Sequence, residues 1–193
     1  LLVAGPGIQS CPPFLLTGKS DGVPVPAATD LGLGSLEQPL SCAVGDYDND
    51  EVPDLFVVGS GANRIFHGAA EGTFTDVTQE LKITGNGGRT RSALWLDADH
   101  DGDLDLFLCH AGAPNQLFNN NADGTFTEVA VASGVAVPDG DSVLVLPGDL
   151  DGDRDMDLVL LRSGAPAKVF RNALAKTFQE ANLGGLDIRG DRG

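Results

Sequence analysis

One nine-residue pattern occurs three times in the chain: DYDNDEVPD from Asp46 to Asp54, DADHDGDLD from Asp97 to Asp105, and DLDGDRDMD from Asp149 to Asp157. Each copy places aspartates at positions 1, 3, 5 and 9. Two like unit charges 4 Å apart repel by about 1 kcal/mol in water and about 4 kcal/mol at an effective dielectric near 20. A loop this dense in acid therefore closes into compact structure only around a cation. Alternate aspartates in a tight loop turn their carboxylates inward, which nominates Asp46, Asp48 and Asp50, Asp97, Asp99 and Asp101, and Asp149, Asp151 and Asp153. Position 7 offers a backbone carbonyl from Val52, Asp103 or Asp155, and position 9 closes the shell with Asp54, Asp105 or Asp157. An all-oxygen shell suits a hard ion, calcium before magnesium. The expectation is three Ca2+ sites.

The main competitor for such a loop is the EF-hand, which needs a bidentate Glu at position 12 between two helices. Position 12 here holds Val57, Leu108 and Leu160, which excludes it. Short apolar runs follow each loop instead, LFVV, LFLC and LVLL, and these read as buried β-strands. The loops thus join strand to strand.

The loops are spaced by 51 and 52 residues, and Phe66, Phe118 and Phe170 keep step at 52. A period near 50 belongs to propeller blades. Every full unit reads strand, acidic loop, strand, Gly-rich turn, strand, hairpin, strand. In the second unit these are Ser92 to Leu96, the loop, Leu106 to Cys109, His110 to Pro114, Gln116 to Asn119, a turn at Asp123-Gly124, and Thr125 to Val129. Glu71-Gly72 and Asp123-Gly124 predict tight hairpins with positive φ at glycine, while Ala175-Lys176 replaces them in the last unit. Residues 1–40 are a worn copy: LLVAGPG matches LFVVGSG at Leu55 to Gly61, Phe14 to Leu16 matches Arg64 to Phe66, and Asp21-Gly22 falls at the hairpin. The first strand and loop of that copy are missing. The pattern predicts about fifteen strands and no helix of ordinary length, in one segment with units at 1–40 (incomplete), 41–91, 92–141 and 142–193.

Composition fits a globular domain: 193 residues, 41% hydrophobic, formal net charge −16. Three divalent ions reduce that charge to roughly −10, and even then nucleic acid is an unsuitable partner. No stretch reaches the roughly 18 apolar residues of a membrane span. Leu1 opens inside a strand-like run with neither a basic start nor a signal peptide, so the chain reads as a mature or incomplete piece. Of three cysteines, Cys42 and Cys109 lie in apolar runs and read as small buried hydrophobes, whereas Cys11 in a Pro-rich loop is freer to pair, with Cys42 as one conceivable partner. His67, His100 and His110 show no paired metal spacing, and no GxSxG elbow is present. No role is assigned to the histidines. The aromatics are mostly Phe at core positions, which weighs against a sugar-binding surface built on Trp or Tyr. Arg189-Gly190-Asp191 spells an integrin-recognition tripeptide, a match that chance explains.

DADHDGDLDLFL with AGAPNQLFNNNADGTFTEVA at 97–130, and the weaker matches around Asp46 and Asp149, resemble the FG-GAP repeats of integrin-α-like β-propellers. They are closer still to the VCBS-type branch found in secreted bacterial proteins and cartilage acidic protein relatives. The resemblance implies an all-β propeller of four-stranded antiparallel blades, here an arc of about four from a ring of seven or eight, with the remaining blades supplied by the rest of the chain. It implies calcium in the hairpin between first and second strands, held by the same twelve aspartates. It prefers a left-handed glycine at position 6, as Gly102 provides, so that Glu51 and Arg154 add strain of order 1 kcal/mol and weaken their sites. No catalytic residue comes with it.

Two classes of function follow. The first is a non-enzymatic, calcium-binding extracellular or periplasmic module for binding, adhesion or scaffolding, with a protein or glycan ligand. The second is a substrate-recognising, carbohydrate-binding propeller attached to a secreted enzyme. In either case the turns at Gly59 to Asn63, His110 to Asn115 and Arg162 to Ala167, opposite the acidic loops, are the expected contact surface.

Overall fold

The computed structural model describes residues 2–3, 14–17, 25–26, 32–33, 36, 39–83, 85–138, 141–173 and 177–181. These contain fifteen strands. β1 (Leu2–Val3), β2 (Phe14–Thr17) and β3 (Val25–Pro26) form a three-stranded sheet. The second sheet comprises β4 (Pro39–Gly45), β5 (Asp54–Gly59), β6 (Arg64–Gly68) and β7 (Phe74–Asp76). The third comprises β8 (Arg89–Leu96), β9 (Asp105–Ala111), β10 (Gln116–Asn120) and β11 (Phe126–Glu128). The fourth comprises β12 (Ser142–Gly148), β13 (Asp157–Arg162), β14 (Lys168–Asn172) and β15 (Phe178–Glu180). All pairings are antiparallel between strands adjacent in sequence, and β4, β8 and β12 lie beside one another from sheet to sheet. The architecture is all-β, in consecutive four-stranded propeller-type blades.

Side-chain alternation explains why the second strands are so apolar. In β5, Leu55 and Val57 pack into one cluster and Phe56 and Val58 into the next. In β9, Leu106 and Leu108 join that next cluster, while Phe107 and Cys109 pack with Leu158 and Leu160 of β13. Each second strand therefore serves two interfaces, one per face, and needs an apolar residue at every position. Each fully buried Phe or Leu contributes roughly 1.5–3 kcal/mol, so the interfaces between blades carry the stability.

The first, second and third strands of the Ser92 unit begin or end within a few residues of their sequence-based limits, and β11 is shorter by one residue at each end. Gly72 and Gly124 both take φ +82°, as their hairpins require. The only helix among the described residues is the four-residue α1 (Thr78–Leu81), which ends at left-handed Lys82. No helix of the described residues is long and apolar enough to cross a membrane. Cys42 and Cys109 are free thiols, both pushed up by burial, to about 11 and about 12. Cys11, the hairpins at Asp21-Gly22 and Ala175-Lys176, and Arg189-Gly190-Asp191 lie outside the described residues, as do residues 182–193.

Candidate metal centres

Each acidic pattern starts just after the first strand of its sheet and ends on the first residue of the second, where Gly45 pairs with Asp54, Leu96 with Asp105 and Gly148 with Asp157. Closing so short a connection requires two left-handed residues. Position 4 takes φ +60° at Asn49, +63° at His100 and +83° at Gly152, and position 6 takes +69° at Glu51, +93° at Gly102 and +78° at Arg154. Position 6 was expected from the sequence and position 4 was not. The strain at Glu51 and Arg154 is a real feature of the backbone.

One hydrogen-bond scheme recurs in the three loops. The position 6 N–H donates to the position 1 carboxylate, from Glu51 to Asp46 at 2.9 Å, Gly102 to Asp97 at 3.1 Å and Arg154 to Asp149 at 3.1 Å. The position 7 N–H donates to the position 5 carboxylate, from Val52 to Asp50 at 2.8 Å, Asp103 to Asp101 at 3.0 Å and Asp155 to Asp153 at 2.9 Å. These bonds fix the orientation of the position 1 and position 5 aspartates within each loop.

Position 9 has a second task, unforeseen from spacing. Asp54, Asp105 and Asp157 are at most 1% exposed. Each accepts from the position 2 N–H (Tyr47, Ala98, Leu150) and from the third strand (Gly68, Asn120, Asn172), all at 2.8–3.1 Å. The carboxylate latches the loop to the third strand, and each oxygen keeps a lone pair for a cation. Burial pushes the Asp105 carboxyl up to about 7, helped by the charges of Asp99 and Asp101 and opposed by the two N–H groups. Asp54 is raised for the same leading reason.

The geometry gathers the predicted residues unevenly. Ligand atoms of Asp46, Asp48 and Asp50, of Asp97, Asp99 and Asp101, and of Asp149, Asp151 and Asp157 lie within 4.8 Å of one another in each set. Asp105 and Asp153 stand outside the sets of their own loops. Two of the position 7 side chains reach the preceding blade: Asp103 accepts from Asn49 at 2.6 Å, and Asp155 Oδ1 lies 3.3 Å from His100 Nε2. Val52 is half-buried. The donor set fits a divalent cation: it is entirely oxygen in these three groups, and Asp97 Oδ1 is buried with no hydrogen-bond partner.

Blades are tied through the loops. Asn120 donates to Tyr47 O at 2.7 Å and Asn172 to Ala98 O at 2.9 Å, each crossing to the preceding blade. Tyr47 stacks on Trp95 with ring centroids 5.9 Å apart and 15° between planes, and its hydroxyl is pushed up to about 12 by burial and by Asp48, Asp54 and Asp50.

His67 belongs to the first centre, although its spacing in the sequence gave no hint of pairing. Its Nδ1 lies 3.3 Å from Asp48 Oδ2 and 3.2 Å from Asp54 Oδ1. The signal was register: His67, Asn119 and Arg171 each follow the phenylalanine that keeps the repeat in step. Arg171 Nε lies 3.6 Å from Asp151 in the third loop. On the opposite side, the expected contact turn at His110 to Asn115 is largely internal. His110 and Asn115 are buried, with His110 Nε2 2.9 Å from Gln116 Oε1 and its N–H donating to Asn115 Oδ1 at 3.2 Å. Only Gly112 and Pro114 are exposed there.

The sequence profile described as FG-GAP-like repeat matches residues 46–108 and again 97–160, together more than half of the chain. No curated protein matches it.

Proposed function

The chain belongs to the FG-GAP-like repeat family, and from that premise we propose that it is a calcium-binding propeller module that acts outside the cytoplasm as a non-enzymatic surface for a protein or glycan ligand. The single observation that supports calcium best is the threefold recurrence of one loop geometry, in which left-handed backbone at positions 4 and 6 turns the acidic side chains onto a common axis. Calcium, when bound, supplies the positive charge that these carboxylates lack among themselves. Asp46, Asp48 and Asp50, Asp97, Asp99 and Asp101, and Asp149, Asp151 and Asp157 would hold the ion, position 7 would add its backbone carbonyl, and the position 9 carboxylates latch the third strand. The role is structural, because the loops join the first two strands of each blade and are bonded to the blade beside them. Millimolar calcium outside the cytoplasm suits loops with strained position 6 residues. A rigid scaffold of this kind leaves the exposed turns to meet a partner.

Calorimetric titration of the metal-free chain with calcium tests the reading. Heat of binding with a rise in melting temperature is expected, since an ion that binds only the folded state stabilises it by mass action. An unchanged melting temperature at millimolar calcium overturns it.

A further inference from the structure

The three loops share one acidic pattern but not one neighbour. The third-strand residue at the equivalent register is His67 in the first blade, Asn119 in the second and Arg171 in the third, and His67 and Arg171 reach aspartates of their own loops. Their registers are equivalent: His67 pairs with Thr75, Asn119 with Thr127 and Arg171 with Gln179. In two of the three blades this position carries a shielded polar atom with no hydrogen bond, the acceptor Oδ1 of Asn119 and the Nδ1 of His67. Asn119 is only 4% exposed and its Oδ1 has no hydrogen-bond partner, whereas the His67 side chain is 33% exposed and only its Nδ1 is shielded, with two carboxylates beside it but no hydrogen bond.

At His67 the consequence is specific. Nδ1 is 3.2 Å and 3.3 Å from carboxylate oxygens of Asp54 and Asp48, yet makes no hydrogen bond with either. The ring stands edge-on to Tyr47, centroids 6.4 Å apart at 73°, which holds it against the loop. Gly68 beside it lets the third strand pack against the end of the loop, since a Cβ there would sit 2.4 Å from Pro53 O. Three donor atoms thus converge, one nitrogen and two oxygens, all within 4.8 Å of one another. A tetrahedral shell with metal-ligand bonds of about 2.0–2.1 Å has edges of about 3.3 Å. Imidazole nitrogen favours zinc and its first-row neighbours, whereas calcium favours oxygen throughout.

We infer that the first loop also offers a mixed nitrogen and oxygen site for a divalent transition metal of the zinc class, held by Asp48, Asp54 and His67, which shares Asp48 with the oxygen group of Asp46, Asp48 and Asp50 and so competes with calcium there. The inference rests on the reading that these loops take divalent cations, and it assigns His67 the role of a selecting ligand.

Titration of the metal-free chain with Co2+ in saturating calcium is the test, followed by visible absorption and by displacement with Zn2+. The wild-type chain is expected to bind one Co2+ with the absorption of a nitrogen-containing site. His67→Asn, which installs the residue of the second blade, is expected to lose that signal, with a fall in Co2+ affinity beyond the roughly 10–100-fold that outer-sphere partners carry, and to retain calcium in that loop. The cysteines are present in both proteins, so a thiolate signal would persist in the variant and overturn the inference. Absence of Co2+ binding to the wild type also overturns it, and leaves the imidazole as an internal counter-ion. His67→Gln repeats the comparison if His67→Asn fails to fold. Calcium bound by the Asp97 and Asp149 loops without His67-dependent Co2+ removes only this inference. Loss of all calcium binding removes the broader reading instead.

Discussion

The loops at Asp97 and Asp149 have the same aspartate spacing and share the bonds from positions 6 and 7, but among the described residues a following blade covers the second and not the third. Ala98, at position 2 of the second loop, is 1% exposed, and its carbonyl accepts from Asn172 of the following blade. Its counterpart Leu150 is 52% exposed, and Met156 beside it is 40% exposed. Arg171 reaches into the third loop from its own blade, where the second has the neutral Asn119. The acidic pattern therefore fixes the backbone of a loop, while the blade beside it and the third strand fix its electrostatic setting.

Removing the latch should separate them most. Asp105→Ala leaves the Ala98 and Asn120 N–H groups without partners in a buried setting, at about 1–3 kcal/mol each. Asp157→Ala frees the Leu150 and Asn172 N–H groups, but Leu150 is open to water, which takes over that bond. Urea denaturation in saturating calcium is expected to show a loss of about 2–6 kcal/mol for Asp105→Ala and a smaller loss for Asp157→Ala. Equal losses would break the distinction between enclosed and open loops.

The pH dependence of the metal-free chain sharpens it. Asp105 sits at about 7 in the folded chain, raised first by burial, against about 3.9 for an ordinary aspartate. Between those values the folded state keeps a proton that the unfolded state has released, so stability falls as pH rises through that window and levels off above it. The fall attributable to this group is at most about 4 kcal/mol. Thermal melts in chelator from pH 5 to 8 should show it, and Asp105→Asn should remove it. Calcium should abolish the trend by supplying the missing positive charge.

The sequence showed the fold clearly, because each second strand is apolar on both faces and each loop carries its own repeat marker. Phe66, Phe118 and Phe170 mark the register of the third strands in the sequence itself, and the glycines at 72 and 124 mark the hairpins. The double role of position 9 was not legible, since a carboxylate that binds a cation and one that accepts two N–H groups look identical in a pattern. The same limit hid His67. It lies 13 residues beyond Asp54 in the chain, and only the β5 to β6 pairing brings it back over the loop. The internal character of His110 and Asn115 was likewise invisible, because a polar residue in a Gly-rich turn reads as exposed until its partners are found.

Arg171 gives a smaller effect in the opposite direction. Its guanidinium stands 3.6 Å from Asp151, and both side chains are partly exposed, so the pair is screened and worth about 0.2–1 kcal/mol. Replacing it with Ala removes a positive charge that competes with a cation for the third loop. Calcium affinity there should rise by about two- to fivefold in Arg171→Ala, measured by calorimetry at low salt, and the gain should shrink as salt is added. No change in affinity would show that the third strand does not tune that loop.

The finest test concerns position 6, where the second loop has glycine and the third does not. Gly102 takes φ +93° with no heavy atom near the place of a Cβ, so any penalty for a side chain there is conformational and not steric crowding. Arg154 holds φ +78° with a side chain in place. A non-glycine residue in this region costs about 1 kcal/mol, and glycine removes that strain while adding a little freedom to the unfolded chain. Arg154→Gly is therefore expected to stabilise the chain by about 0.5–1 kcal/mol, and Gly102→Ala to destabilise it by a similar amount, both read from urea midpoints in calcium. Since Arg154 donates its backbone N–H to Asp149, the bond at 3.1 Å survives the substitution and the change isolates strain from ligand placement. If Arg154→Gly destabilises while Gly102→Ala is neutral, position 6 strain does not distinguish the two loops, and their difference lies wholly in the surrounding blades.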